Sequence, residues 1–207
     1  MIWRRRWAYV TVAACALAAT AALTIAPSSG PSRSRAAGTA PASRSAGAPA
    51  PPGTPARFAY LARQHTNRCD LRASEILSYP ATRRMQGSCC TPMVKSSYRQ
   101  QVSYLKHYAR APEVPADPYD IAAPLAQRLL RYRSVSLTRG ERATYRRAMA
   151  MTDEKGPCCC HCWRWEAFEG LSKHLIADRH WSAKPLAGLI GALDGCGGSG
   201  HARAPPG

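Results

Sequence analysis

Gly156-Pro157-Cys158-Cys159-Cys160-His161-Cys162-Trp163-Arg164-Trp165 runs straight into a segment where Phe168, Leu171, Leu175 and Ile176 recur at helical spacing. That apolar stripe, joined by Trp165, predicts an amphipathic helix over 163–179, entered through a turn that carries four thiols and an imidazole. Downstream, Ser182 stands as cap of a last helix with Leu186, Leu189, Ile190 and Leu193, closed by Asp194-Gly195. Upstream, Thr138-Arg139-Gly140-Glu141 fits a capping box that opens a helix reaching about Met151, with Tyr145, Ala148 and Met149 inward. Ile121, Leu125, Leu129 and Tyr132 mark another helix, set off by the Pro-rich connector Ala111–Pro118. Before it, Thr91-Pro92 reads as an N-cap followed by proline at the first helical position, ahead of Val94, Tyr98, Val102, Leu105 and Tyr108. Asp70 is the expected cap of a short turn with Leu71, Ala73 and Ile76, and Phe58, Leu61, Ala62 and His65 share one face of a first helix. No stretch alternates with period two, so no strands are expected. The fold class is all-α: a small irregular helical bundle with Cys-rich loops.

This bundle occupies 58–198 and is preceded by two segments of different character. Residues 1–26 hold Arg4-Arg5-Arg6 and then the uncharged run Trp7–Ala26, long enough to span a bilayer with the N-terminus inside. The same run reads as a cleaved signal peptide with small residues at Ala19 and Ala21, or as a lipidation signal ending at Cys15. All three routes place the rest of the chain outside the cytoplasm, tethered through a transmembrane anchor or a lipid, or secreted. Residues 27–57 are almost entirely Pro, Ser, Ala, Gly, Thr and Arg, too poor in apolar side chains to offset ordering entropy, and are expected to form a disordered linker. Residues 199–207 read as a disordered tail.

The formal charge of +17 is divided, because 1–57 contains seven arginines and no acidic residue, Arg203 adds one more, and the domain itself carries the remaining +9. Within the domain the basic residues are scattered and lack interleaved aromatics, so no nucleic-acid partner is expected; an Arg-rich surface near anionic lipid is the better fit.

Apart from Cys15 the chain has eight cysteines, at 69, 89, 90, 158, 159, 160, 162 and 196. Even parity in an oxidising compartment ordinarily means disulfides, and one bridge from Cys69 or Cys196 to either cluster fits every reading. Bonds between adjacent cysteines fit disulfide geometry badly, so the bunching argues against a scaffold of bridges alone. In extended chain Cys158, Cys160 and Cys162 share one side; at a helix start Cys158 and Cys162 lie one turn apart. Either arrangement lets thiolates converge with His161, and Cys89 and Cys90 can complete a shell for copper or zinc. Met85, Met93, Cys159 and Cys196 are further candidate ligands. A shared site requires Cys89-Cys90 to lie within about 10 Å of the main cluster, given Zn–S bonds near 2.3 Å. Cys159-Cys160-His161-Cys162 also contains a C-x-x-C pair, so thiol–disulfide chemistry by Cys159 and Cys162 is the alternative function. A disulfide-stapled binding scaffold is the third. Glu166 and Glu169 stand as outer partners of the cluster or as ordinary acidic residues at a helix start.

Pro157-Cys158-Cys159-Cys160-His161-Cys162 resembles the Pro-Cys-x-Cys-x-Cys signature of the PCYCGC/CYCXC-type exported bacterial proteins, a family without an established activity. The resemblance covers this motif and maps onto Cys158, Cys160 and Cys162. It implies an exported cysteine-motif protein. The chain departs from the pattern directly afterwards, where Trp163-Arg164-Trp165 replaces a Gly-His continuation and no cysteine follows until Cys196. The sequence therefore points to an extracytoplasmic, Cys-rich, metal-binding domain for metal handling or with a structural metal, and to no acid–base catalysis.

Overall fold

Helix α6, Trp163–Ala177, is buried on nearly every side, which marks a central helix rather than a surface one. In the computed structural model, which describes residues 50–197, it packs against α2 (Ala73–Ser78), α4 (Ala123–Arg131), α5 (Arg139–Met151) and α7 (Ala183–Ala192). Trp163, Ala167, Phe168, Leu171 and Leu175 fill the centre with Leu129, Leu186 and Leu189. At Gly170 the approach of α6 to α4 is so close that a Cβ would run into the carbonyl oxygen of Leu129. The segments expected in 1–26 and 199–207, and all but the end of the linker 27–57, lie outside the described residues. Among the described residues no helix is long and apolar enough to cross a membrane.

The helical expectation holds for α3 (Lys95–Leu105), α4, α5, α6 and α7, with Tyr98, Val102, Leu105, Leu129, Ala148, Met149 and Leu186 turned inward. The capping box is present: the Thr138 hydroxyl accepts from Glu141 N–H at 3.3 Å, and Glu141 accepts from Thr138 N–H at 2.7 Å. Other boundaries move for identifiable reasons. Helix α3 begins at Lys95, not behind Thr91-Pro92, because the Thr91 hydroxyl and N–H both donate to the Cys196 carbonyl, each at 2.9 Å. Thr91 is held on the Cys196 carbonyl by both of its donors, away from the start of the helix. Asp70 pairs with Arg68 at 2.9 Å, and α2 is opened instead by Arg72, whose N–H donates to Glu75 at 2.9 Å.

Two short strands correct the all-helical reading. β1 (Arg84–Gln86) and β2 (Asp120–Ala122) pair antiparallel, with Met85 opposite Ile121. Three residues are too few for an alternating pattern to show in sequence. The ribbon buries Met85 and Ile121 into the main core.

The folded region also reaches further upstream than 58. Helix α1 is Pro55–Leu61, started by Thr54, whose hydroxyl accepts from Arg57 N–H at 3.2 Å, and by Pro55 at its first position. Arg57, expected in the linker, is buried with its guanidinium on Asp120 and its Nε 3.7 Å from Asp117. Arg84 reaches the other Asp120 oxygen at 2.6 Å, and the Tyr98 hydroxyl donates to Asp117 at 2.8 Å. A buried arginine with two acidic partners is a tertiary anchor, and it is this network that docks α1 on α3 and the ribbon.

Candidate metal centre

Four separate loops bring the cysteines together. Cys69 lies between α1 and α2, Cys89 and Cys90 between β1 and α3, Cys158–Cys162 between α5 and α6, and Cys196 just past α7. Backbone hydrogen bonds lock these loops in register. Cys89 N–H donates to Gly195 O at 3.1 Å and Thr91 N–H to Cys196 O at 2.9 Å, so the 89–91 loop lies along the end of α7. On the other side the Trp163 indole donates to Asn67 Oδ1 at 3.1 Å, while Asn67 Nδ2 donates to Gly87 O at 3.0 Å. Gly87 itself has φ +90°, and a side chain there would meet the carbonyl of Gln64. Trp163 is thus the core anchor that fixes the thiol loops to the bundle.

The sulfurs form one continuous cluster. Sγ of Cys160 lies 3.4 Å from Cys69 and 3.9 Å from Cys90, and Cys90 lies 3.5 Å from Cys89. Cys69, Cys89, Cys90 and Cys160 all lie within 4.8 Å of one another. A tetrahedral zinc site with Zn–S bonds of about 2.3 Å has S···S edges of about 3.8 Å, so the four are spaced as a tetrathiolate shell requires. Cys196 and Cys159 are joined by a disulfide. Around that bond stand Cys158, 3.6 Å from Cys196; Cys89, 3.7 Å from Cys196; and Cys90, 3.7 Å from Cys159.

Beneath the cluster sits Arg164, fully buried, donating to the carbonyls of Pro118 at 2.9 Å and Leu193 at 2.5 Å. Burial works against its charge, yet the anionic forms of Cys89, Cys158 and Cys162 and the Asp194 carboxylate outweigh that and hold the guanidinium firmly protonated. The cation in turn selects where negative charge settles. Cys158 is drawn well below the ordinary thiol range, first by hydrogen bonds from Cys160 and Cys162 and then, against burial, by Arg164. Its two donors are pushed up by the same hydrogen bonds. Burial pushes Cys89 up, opposed by Arg164, and Cys90 up to about 11. Without a metal the raised thiols of Cys89, Cys90 and Cys160 therefore hold their protons at neutral pH, with anionic sulfur favoured at the buried Cys158.

The sequence expectations divide clearly. Cys89 and Cys90 do meet the main cluster, through Cys90 at 3.7 Å from Cys159 and 3.9 Å from Cys160. Cys158 and Cys160 are both in groups spaced for a metal. Cys162 is buried as the residue preceding α6; its thiol pairs with Cys158 and its N–H donates to the Cys160 carbonyl at 2.9 Å, but it belongs to none of the groups spaced for a metal. His161 is exposed, its ring lying on Trp165 with centroids 4.0 Å apart, and it belongs to none of the candidate groups. The 158–162 segment is neither extended nor helical but a succession of bends, which turns His161 outward while Cys160 points in. Met85 is in the hydrophobic core, opposite Ile121. Met93 lines, with His65, Arg68, Cys89 and Cys90, an open cleft of about 400 Å³ beside the outer thiols. Glu166 and Glu169 face Arg133 and Lys173 instead of the cysteines. Cys159 is bonded to Cys196, so the C-x-x-C pair Cys159/Cys162 is not the disulfide here.

Three participants were not expected: Cys69 as a full member of the outer four, Asp194 beside Cys158 and Cys196, and Arg164. Even cysteine parity was the only signal for Cys69. Comparison with family models, with curated proteins and with solved structures gives no match.

Proposed function

We propose that this chain is an extracytoplasmic metal-handling protein that binds one soft transition-metal ion, zinc or copper(I), on the thiolates of Cys69, Cys89, Cys90 and Cys160. The reading is carried by one observation: the four sulfurs lie within 4.8 Å of one another although they come from three loops. Four thiolates in a tetrahedral arrangement suit zinc, and all-sulfur shells suit copper(I) equally. Handling is favoured over a purely structural role because Cys90 is exposed and faces the cleft with Met93, so a ligand can leave and return without unfolding. The bundle meanwhile has its own large apolar core and does not depend on the metal for burial. The N-terminal apolar segment would hold this domain outside the cytoplasm.

The test is metal analysis of the chain purified from an oxidising compartment, with thiol counting by intact mass. About one equivalent of zinc or copper is expected, lost on Cys90→Ser or Cys160→Ser, as a four-ligand site demands. A protein that carries no metal, takes none up from solution, and has its outer four cysteines fully oxidised would overturn the assignment. Because the raised thiols of Cys89, Cys90 and Cys160 hold their protons in the apo form, metal uptake must release protons and strengthen as pH rises, and a pH-indicator titration reads this directly.

A further inference from the structure

We propose that the Cys159–Cys196 disulfide gates a second, inner metal site, formed by Cys158, Cys159, Cys196 and the Asp194 carboxylate once the bond is reduced. The inference rests on the same thiolate chemistry as the outer site but uses none of its four ligands. Cys158, Asp194 and Cys196 already lie within 4.8 Å of one another, and Cys158 stands in a second such group with Cys159. Asp194 is held in place by the backbone, accepting from Cys196 N–H at 3.0 Å. All three residues of the first group are buried. Burying three thiolates and a carboxylate around a divalent ion leaves net negative charge, and the buried Arg164 guanidinium interacts with both Cys158 and Asp194 to offset it.

With the disulfide closed, neither Cys159 nor Cys196 has a thiolate to offer, and the inner set is reduced to Cys158 and Asp194. Reduction supplies the missing ligands. A dithiol reductant transfers two electrons to the S–S bond: the bond breaks, two cysteine thiols form, and the dithiol closes to its own disulfide. The incoming ion then displaces the thiol protons to solvent. The route in is short, since Cys90 at the surface lies 3.7 Å from Cys159.

Native mass spectrometry of the full chain in zinc acetate, before and after treatment with a non-chelating phosphine reductant, tests this without any variant. The oxidised protein should carry about one zinc and the reduced protein about two, each on a four-coordinate shell. Asp194→Asn and Cys196→Ser should abolish only the reduction-dependent equivalent, and Cys90→Ser only the reduction-independent one. Unchanged stoichiometry after complete reduction, verified by two added thiol hydrogens in the intact mass, would overturn the inner site and leave the outer one standing. No zinc before reduction and one after, sensitive to Cys158→Ser but not to Cys69→Ser, would overturn the outer site and leave the inner one standing.

Discussion

Two single residues show how the cluster is governed. His161 sits among four thiols in sequence yet stacks on Trp165, so His161→Ala should leave metal stoichiometry and affinity unchanged in a competition titration. A fall of tenfold or more would place the imidazole on the metal after all. Arg164 is the opposite case, two residues past the last thiol of the motif and fully buried beneath the cluster. Replacing it with Met strips the charged donor from two buried carbonyls and the positive charge from beside the anionic Cys158 sulfur. Lost hydrogen bonds to charged groups cost about 1.5–3 kcal/mol each, so Arg164→Met should lower unfolding free energy by roughly 3 kcal/mol or more in urea. Neither role was legible. Sequence showed which residue types were bunched, but bends at 158–162 decide which of them point inward, and such bends leave no periodic trace.

At the scale of elements, legibility followed length and local chemistry. Helices α3 to α7 announced themselves by repeated apolar positions, and α5 by a capping box that the structure contains. Thr138→Ala should cost about 1 kcal/mol, the usual value for a lost N-cap, measured by thermal or urea unfolding. Glu141 adds a pH dependence whose sign is fixed. Accepting from Thr138 holds its carboxyl below the ordinary 4.5, so its contribution is present above that value and lost as pH falls through the lowered one. The stability gap between wild type and Glu141→Gln should accordingly narrow between neutral pH and about pH 3, which unfolding curves at the two pH values will show. The contact of α6 with α4 makes a sharper demand. Gly170→Ala forces a methyl into the Leu129 carbonyl and should cost about 1–3 kcal/mol, as overpacked interiors do. The three-residue strands and the docking of α1 escaped notice because both depend on partners distant in sequence: Met85 on Ile121, Arg57 on Asp117 and Asp120.

For the whole molecule, the bundle supplies rigidity and its loops supply sulfur. A metal bound only by the folded arrangement stabilises it in proportion to RT ln(1 + [M]/Kd), about 2.7 kcal/mol at a hundredfold excess over Kd. Zinc should therefore raise the melting temperature by several degrees and a chelator should reverse the gain, with Cys90→Ser abolishing both changes in a scanning experiment. The two clusters are visible in sequence, and so is their need to meet; Cys69 is named there only as a bridge partner and not as a ligand, because a lone cysteine carries no spacing and its loop is fixed by Asn67 bonding to Trp163.

The same convergence of loops fixes an order of events in the life of the chain. Cys69, Cys89 and Cys90 are synthesised before Cys160 and before Cys196, which lies 107 residues beyond Cys89. During that interval the early thiols have no native partners, and Cys89 and Cys90 can be captured by any oxidant or stray ion they encounter. Completion of α7 is what closes the trap. The full set of thiols thus exists only in a finished domain, and a nascent chain halted before α7 would present its sulfurs as a liability.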